Sequence, residues 1–177
     1  MTGIRFKQRK TIRLRGYDYS SPGAYMVTIC ACNRLKGFSS LNRGAVILSE
    51  TGRIVERCWL DIPKHFPGVK LDVWVVMPNH LHGILAFVSE RPGGIYPAPT
   101  ARPGAGGLPE LGNVVGVFKA AVSREARRKG ITRGPLWQRG YYEHVIRNQT
   151  DLDSAREYIA LNPLRLDLPE YPFAWPE

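Results

Sequence analysis

Residues 69–88, VKLDVWVVMPNHLHGILAFV, decide the fold. Two runs rich in β-branched and apolar residues, 69–77 and 80–88, flank Pro78-Asn79, a pair that favours a tight reversal. The stretch therefore predicts two antiparallel strands joined by a short turn. The second strand opens on His80-Leu81-His82. Side chains alternate along a strand, so both imidazoles point to one face and Leu81 to the other. Two such imidazoles can share a metal ion. They fit equally well as a hydrogen-bonded pair at a strand end, because two polar rings opening an apolar strand need partners.

Working outward, 24–32 (AYMVTICAC) and 45–48 (AVIL) read as further short strands. Between 49 and 62, Ile54, Val55, Cys58, Trp59 and Ile62 recur at spacings of three and four, Ser49 can cap the start, and Pro63 marks the exit. That pattern predicts a helix. A second helix is predicted over 113–129, with Val114, Phe118, Ala121 and Val122 as its apolar stripe and Lys119, Arg124, Arg127, Arg128 and Lys129 crowding its polar side. A strand at 141–147 (YYEHVIR) and a helix from about 151 to 161 complete the core. Thr150 and Asp153 stand at capping-box-like spacing before that helix, and Asn162-Pro163 reads as its stop.

Residues 90–112 hold five prolines and six glycines with almost no periodic apolar content, which predicts a flexible surface insertion. The end, PEYPFAWPE, reads as an extended tail, giving one domain over 1–163 and a Pro-rich tail over 164–177. Hairpin-joined strands with a few crossover helices predict an α+β fold, a ferredoxin-like sandwich with a mainly antiparallel sheet and helices packed on one face.

Composition narrows the function. With 177 residues and 44% hydrophobic content, the chain can bury one core and is no disordered basic tail. No apolar run reaches the roughly 18 residues of a membrane span, and the N-terminus lacks the apolar stretch of a secretory signal. The expectation is a soluble cytoplasmic protein without a membrane partner. Cys30, Cys32 and Cys58 are an odd set without CxxC spacing, so neither a disulfide framework nor a zinc knot is indicated.

The net charge is +10, and its placement is uneven. Residues 1–15 carry six bases (Arg5, Lys7, Arg9, Lys10, Arg13, Arg15) and no acid, while 113–147 carry eight bases and two acids. Localised positive charge of this kind fits a polyanion, since phosphate neutralisation with counterion release drives nucleic-acid binding. No Walker loop, GxSxG elbow or HExxH motif is present, and no Ser or Cys stands in a recognisable nucleophile setting. A tyrosine becomes the leading nucleophile. Tyr158 and Asn162 lie four apart, hence on one helix face. Tyr158 also fits as a boundary tyrosine beside the stripe of Leu152, Ala155 and Ile159.

Five stretches together carry a family resemblance: RLRGYDYSSPGAYMVTIC (13–30), HFPGVKLDVWVVMPNHLHGIL (65–85), VVGVFKAAVS (114–123), PLWQRGYYEHVIRN (135–148) and DLDSAREYIALNP (151–163). In this order they resemble the REP-associated tyrosine transposases, relatives of the single-strand insertion-sequence transposases in the HUH endonuclease superfamily. The resemblance implies a single-stranded DNA endonuclease and strand transferase that works through a 5′-phosphotyrosine. It makes Tyr158 the nucleophile and His80, His82 and Asn162 the ligands of a divalent ion, Mg²⁺ or Mn²⁺. It implies a hairpin or palindromic single-stranded DNA as partner and a monomer or homodimer as the working state. The bases of the N-terminal arm, with Lys119, Arg124, Arg127, Arg128 and Lys129, are then the candidate phosphate contacts. Tyr17, Tyr19, Trp137, Tyr141 and Tyr142 are candidates for base stacking, with core packing as the competing reading. Two other functions stay open: a hairpin-binding module without catalysis, and a metal-dependent nuclease that uses water.

Overall fold

The computed structural model describes residues 17–32, 37–88 and 108–166. The six bases of the N-terminal arm, most of the Pro/Gly-rich insertion and residues 167–177 of the tail lie outside the described residues. In chain order the elements are β1 (Gly23–Cys30), β2 (Ser39–Asn42), β3 (Ala45–Leu48), α1 (Glu50–Leu60), α2 (Ile62–His65), β4 (Val69–Val76), β5 (His80–Phe87), α3 (Leu111–Arg128), β6 (Tyr142–Ile146) and α4 (Gln149–Leu166).

Strands β1, β4, β5 and β6 form one antiparallel sheet in the order β4-β5-β1-β6. This is the ferredoxin-like arrangement of two split βαβ units, with α1 and α3 as the crossovers. The expected α+β class and antiparallel sheet are what the structure shows. Strands β2 and β3 form a separate small hairpin whose two-residue turn places Arg43 at φ 50° and Gly44 at φ 75°. Both central residues of a type I′ turn need that left-handed backbone.

Alternation along the central strands sorts their side chains. Tyr25, Val27 and Ile29 of β1, with Leu81 and Leu85 of β5, join one core with Trp59 of α1 and Phe118 of α3. Gly83 belongs to this side because the Trp59 ring lies against it, and a Cβ there would collide with Trp59 Cζ2. Trp59 meets Phe118 edge-on at a centroid distance of 5.4 Å. The start of α1 is fixed as expected: Ser49 Oγ accepts from Gly52 N at 3.0 Å.

The opposite side has its own core. Ala24 and Met26 of β1, Ile84 of β5 and Ile146 of β6 pack on Leu152, Ala155 and Ile159 of α4. The two crossover helices thus share one face, as expected, while α4 covers the other. The stripe of α4 says that one side of the helix is buried; it carries no information on which face of the sheet receives it.

Two local expectations are corrected at α4. Asn148, not Thr150, caps the helix: Asn148 Oδ1 accepts from Asp151 N at 2.9 Å, and Asp151 Oδ2 reaches back to Arg147 N at 3.0 Å. The helix also runs past Pro163 to Leu166. A proline forfeits the hydrogen bond to the carbonyl four residues earlier, here Ile159, but only three residues of helix follow it. Leu164, in that last turn, packs against Gly44 of the hairpin.

β4 contains an irregularity that matters for α4. Leu71 pairs with Leu85 and Trp74 with Gly83, so three steps on β4 match two on β5. The extra residue is a bulge. It keeps Leu71 and Trp74 on the crossover-helix side and turns Val73 and Val75 toward α4.

Candidate active site

His80 and His82 extend from the start of β5 to the α4 side of the sheet, where they are buried. The turn before β5 is held by Ala31 N donating to Asn79 O and Met77 N to His80 O, both at 2.8 Å. Asn79 also serves the site through its side chain, with Oδ1 2.7 Å from His80 Nδ1. An amide oxygen only accepts, so His80 Nδ1 carries the proton and His80 Nε2 presents a lone pair. That lone pair faces His82: the two Nε2 atoms are 2.9 Å apart. On its other side, His82 Nδ1 lies 2.7 Å from Thr28 Oγ1 on β1.

Burial sets the charge state. It pushes the His80 imidazole down from its ordinary 6.5 to about 4. His82 falls well below the ordinary value through burial first and the neighbouring His80 second. Both rings are therefore neutral near pH 7, the state in which imidazole binds metals.

The 2.9 Å between the Nε2 atoms is a hydrogen-bond distance, met when one ring carries a proton on Nε2 and the other presents its lone pair. Among the described residues no three His, Cys, Asp or Glu side chains gather as a metal cluster. An ion here would draw on the two imidazoles, an uncharged donor such as an amide, and its own substrate or water.

α4 brings the phenol. The Tyr158 ring stands edge-on to His82, with centroids 5.3 Å apart and planes at 77°. Asn162, one turn later, continues the buried stripe of Leu152, Ala155 and Ile159 on the same helix. The structure thus brings His80, His82 and Tyr158 together and places Asn162 on the sheet-facing side of the helix that carries Tyr158.

Polar ties fix α4 at both flanks of the sheet. On β6, His144 Nε2 meets Asp151 Oδ1 at 2.8 Å. Burial alone would raise the Asp151 carboxyl, but the hydrogen bonds from His144 and Arg147 N outweigh it and hold it below the usual range. On β4, the bulge residue Asp72 takes a two-pronged contact from Arg156, with Nη2 at 2.7 Å and Nε at 3.1 Å from Oδ2. His144 is thus occupied in anchoring the helix.

The basic residues of α3 lie across the sheet from this site. Lys119 Nζ donates to Gln138 O at 2.7 Å and Gly140 O at 2.9 Å. Arg128 pairs with Glu125, and Lys129 with Glu50. Arg124 and Arg127 are exposed. Of the aromatic candidates, Tyr19 and Trp137 are buried in the core, and Tyr17 packs edge-on to Tyr19 at 5.0 Å. Thr28 and Asn79 are the residues that pattern reading missed. Thr28 left one signal, a hydroxyl on the Ala24 and Met26 side of an otherwise apolar strand.

An uncharacterized protein of Haemophilus influenzae is 38% identical over 160 residues, covering 88% of each chain. This chain belongs to the same family as that protein. No family model matches the sequence. Among solved structures, a REP-associated tyrosine transposase bound to a REP hairpin superposes with a TM-score of 0.56 at 20% identity, over 93% of this chain and 91% of that one. At that identity the likeness is one of fold, and it spans the sheet and the helices that frame the site. Among the described residues no helix is long and apolar enough to cross a membrane.

Proposed function

We propose that the protein is a metal-dependent single-stranded DNA endonuclease and strand transferase of the tyrosine-transposase type. One observation carries the reading: two neutral imidazoles meet through their Nε2 atoms, and one of them, His82, lies edge-on to the Tyr158 ring. The fold shared with a transposase whose structure holds a REP hairpin supports a hairpin in single-stranded DNA as the partner.

His80, His82 and Asn162 would hold Mg²⁺ or Mn²⁺. Bound there, the ion supplies positive charge against the scissile phosphate and its departing oxygen. Tyr158 Oη forms the new bond to phosphorus as its proton leaves. The bond to the 3′ oxygen breaks with its electron pair, and that oxygen takes a proton to become a 3′-OH. A phenol with an ordinary pKa near 10 needs this proton removed during attack. The product is a 5′-phosphotyrosine, and because one phosphodiester has been exchanged for another, the same 3′-OH or a different one can reverse the step. Tyr158 stands against His82 of its own chain, which supports assembly of the centre within one chain, as a monomer or in each half of a homodimer. The six arm bases and the exposed Arg124 and Arg127 are the proposed phosphate contacts. Those on α3 would grip DNA away from the cut strand.

The test uses end-labelled hairpin DNA with Mn²⁺. The wild type should give a nick and a protein-linked DNA product. Tyr158→Phe should lose both while still shifting the hairpin in a gel. Cleavage retained by Tyr158→Phe would establish water as nucleophile, and a gel shift without any wild-type nick would establish a binding module.

A further inference from the structure

The two histidines are held by unlike partners. His80 Nδ1 faces an amide oxygen, which permits one tautomer only. His82 Nδ1 faces a hydroxyl, Thr28 Oγ1, which donates or accepts as it rotates. Thr28 is 1% exposed, sits on the central strand β1, and pairs directly with His82 in the sheet register. Its backbone and neighbours fix the oxygen's position while leaving the hydrogen's direction open.

We propose that Thr28 is a positioning residue that lets His82 change tautomer when a divalent ion arrives. Without the ion, the Thr28 hydroxyl donates to His82 Nδ1, and His82 Nε2–H donates to the His80 Nε2 lone pair, which accounts for the 2.9 Å contact. With the ion, Thr28 Oγ1 accepts from Nδ1–H and both Nε2 lone pairs are released to the metal. One proton leaves Nε2 for water and one returns at Nδ1, so the ring is neutral at both ends. A partner that only accepts would lock His82 in the metal-ready form and oppose two lone pairs at close range. A partner that only donates would lock it out of that form. The hydroxyl is the group that serves both states. This inference rests on the metal-site reading of His80 and His82, and it does not require cleavage.

The experiment follows the nitrogen-15 resonances of the histidine rings in the full chain, without metal and with Mg²⁺. The expected result is His80 as the Nδ1–H tautomer throughout, and His82 moving from Nε2–H to Nδ1–H as Mg²⁺ is added. His82 already in the Nδ1–H form without metal, or unmoved by saturating Mg²⁺, would overturn the proposal without any variant being made. Thr28→Val removes the hydroxyl at constant shape. It should keep His82 as Nε2–H and weaken Mn²⁺ binding, read by electron paramagnetic resonance, by about 10- to 100-fold, the usual cost of losing a partner behind a ligand. Thr28→Ser should restore both readouts. Mn²⁺ affinity unchanged in Thr28→Val would also overturn it. A normal tautomer shift with no DNA adduct would refute the transferase reading and leave the role of Thr28 standing.

Discussion

The two faces of the sheet are built from the same strands and do different work. The face under α1 and α3 is an apolar layer filled by Trp59, Phe118, Tyr25, Leu81 and Leu85. The face under α4 is divided. Met26, Ile84, Leu152 and Ile159 make a small apolar core, and the adjoining end carries His80, His82, Thr28 and Tyr158. The lesson lies in β5, where single-residue alternation sends Leu81, Gly83 and Leu85 to the stabilising side and His80 and His82 to the chemical side. Chemistry placed on the face with the smaller core leaves most of the burial energy undisturbed.

Substitutions that separate the two faces should therefore separate rate from stability. The largest effect is expected from His82→Ala, which should slow hairpin cleavage at least about 100-fold, the scale set by losing one electrostatic partner of a transition state. Its cost in stability should be only about 1–3 kcal/mol, from the polar groups left behind. Next comes Trp59→Ala on the opposite face, which should lower unfolding free energy by about 3–5 kcal/mol. Cleavage per folded molecule should stay near wild type. A Trp59 variant that folds normally and loses cleavage would break the division.

pH sharpens the comparison because the buried imidazoles stand on one face only. His80 titrates at about 4 when folded against 6.5 ordinarily. Between those values the unfolded chain binds more protons, so stability rises with pH across the window and is lost as pH falls from about 6.5 toward 4. His82 acts in the same direction. Asp151, held below the ordinary carboxylate value, adds its own loss only at lower pH. Urea unfolding at pH 7 and pH 4.5 should show the decline for the wild type and a shallower one for His80→Asn. The smallest effect is expected at the α4 anchor: Arg156→Met, breaking a half-exposed pair with Asp72, should cost about 1 kcal/mol or less in thermal unfolding.

Much of this division was legible in the sequence, and the gaps have physical causes. The hairpin of β4 and β5 announced itself through Pro78-Asn79 between two apolar runs, and the shared face of His80 and His82 followed from the period of a strand. Tyr158 stood at the border of the α4 stripe, where the structure places it half-buried. The bulge at Asp72 stayed hidden because the alternation of Lys70 and Asp72 with apolar neighbours gives way at 73–76 (VWVV) to residues that are apolar on both faces and mark no register. β2 stayed hidden because a short, half-exposed strand such as SSLN buries little. Thr28 and His82 are 54 residues apart, so their contact exists only once the sheet order is known. The same holds for Arg156 with Asp72 and for His144 with Asp151. Between two acceptable caps, Thr150 and Asn148, the choice was made by where β6 delivers the chain.

The most direct measurement digests the covalent product of wild-type protein, hairpin DNA and Mn²⁺ and locates the linked residue by mass spectrometry. The expected result is a nucleotide 5′-phosphate carried on Tyr158. An adduct on another residue, such as Tyr142, or cleavage that leaves no adduct, would contradict the assignment of Tyr158 as the group facing the histidine pair.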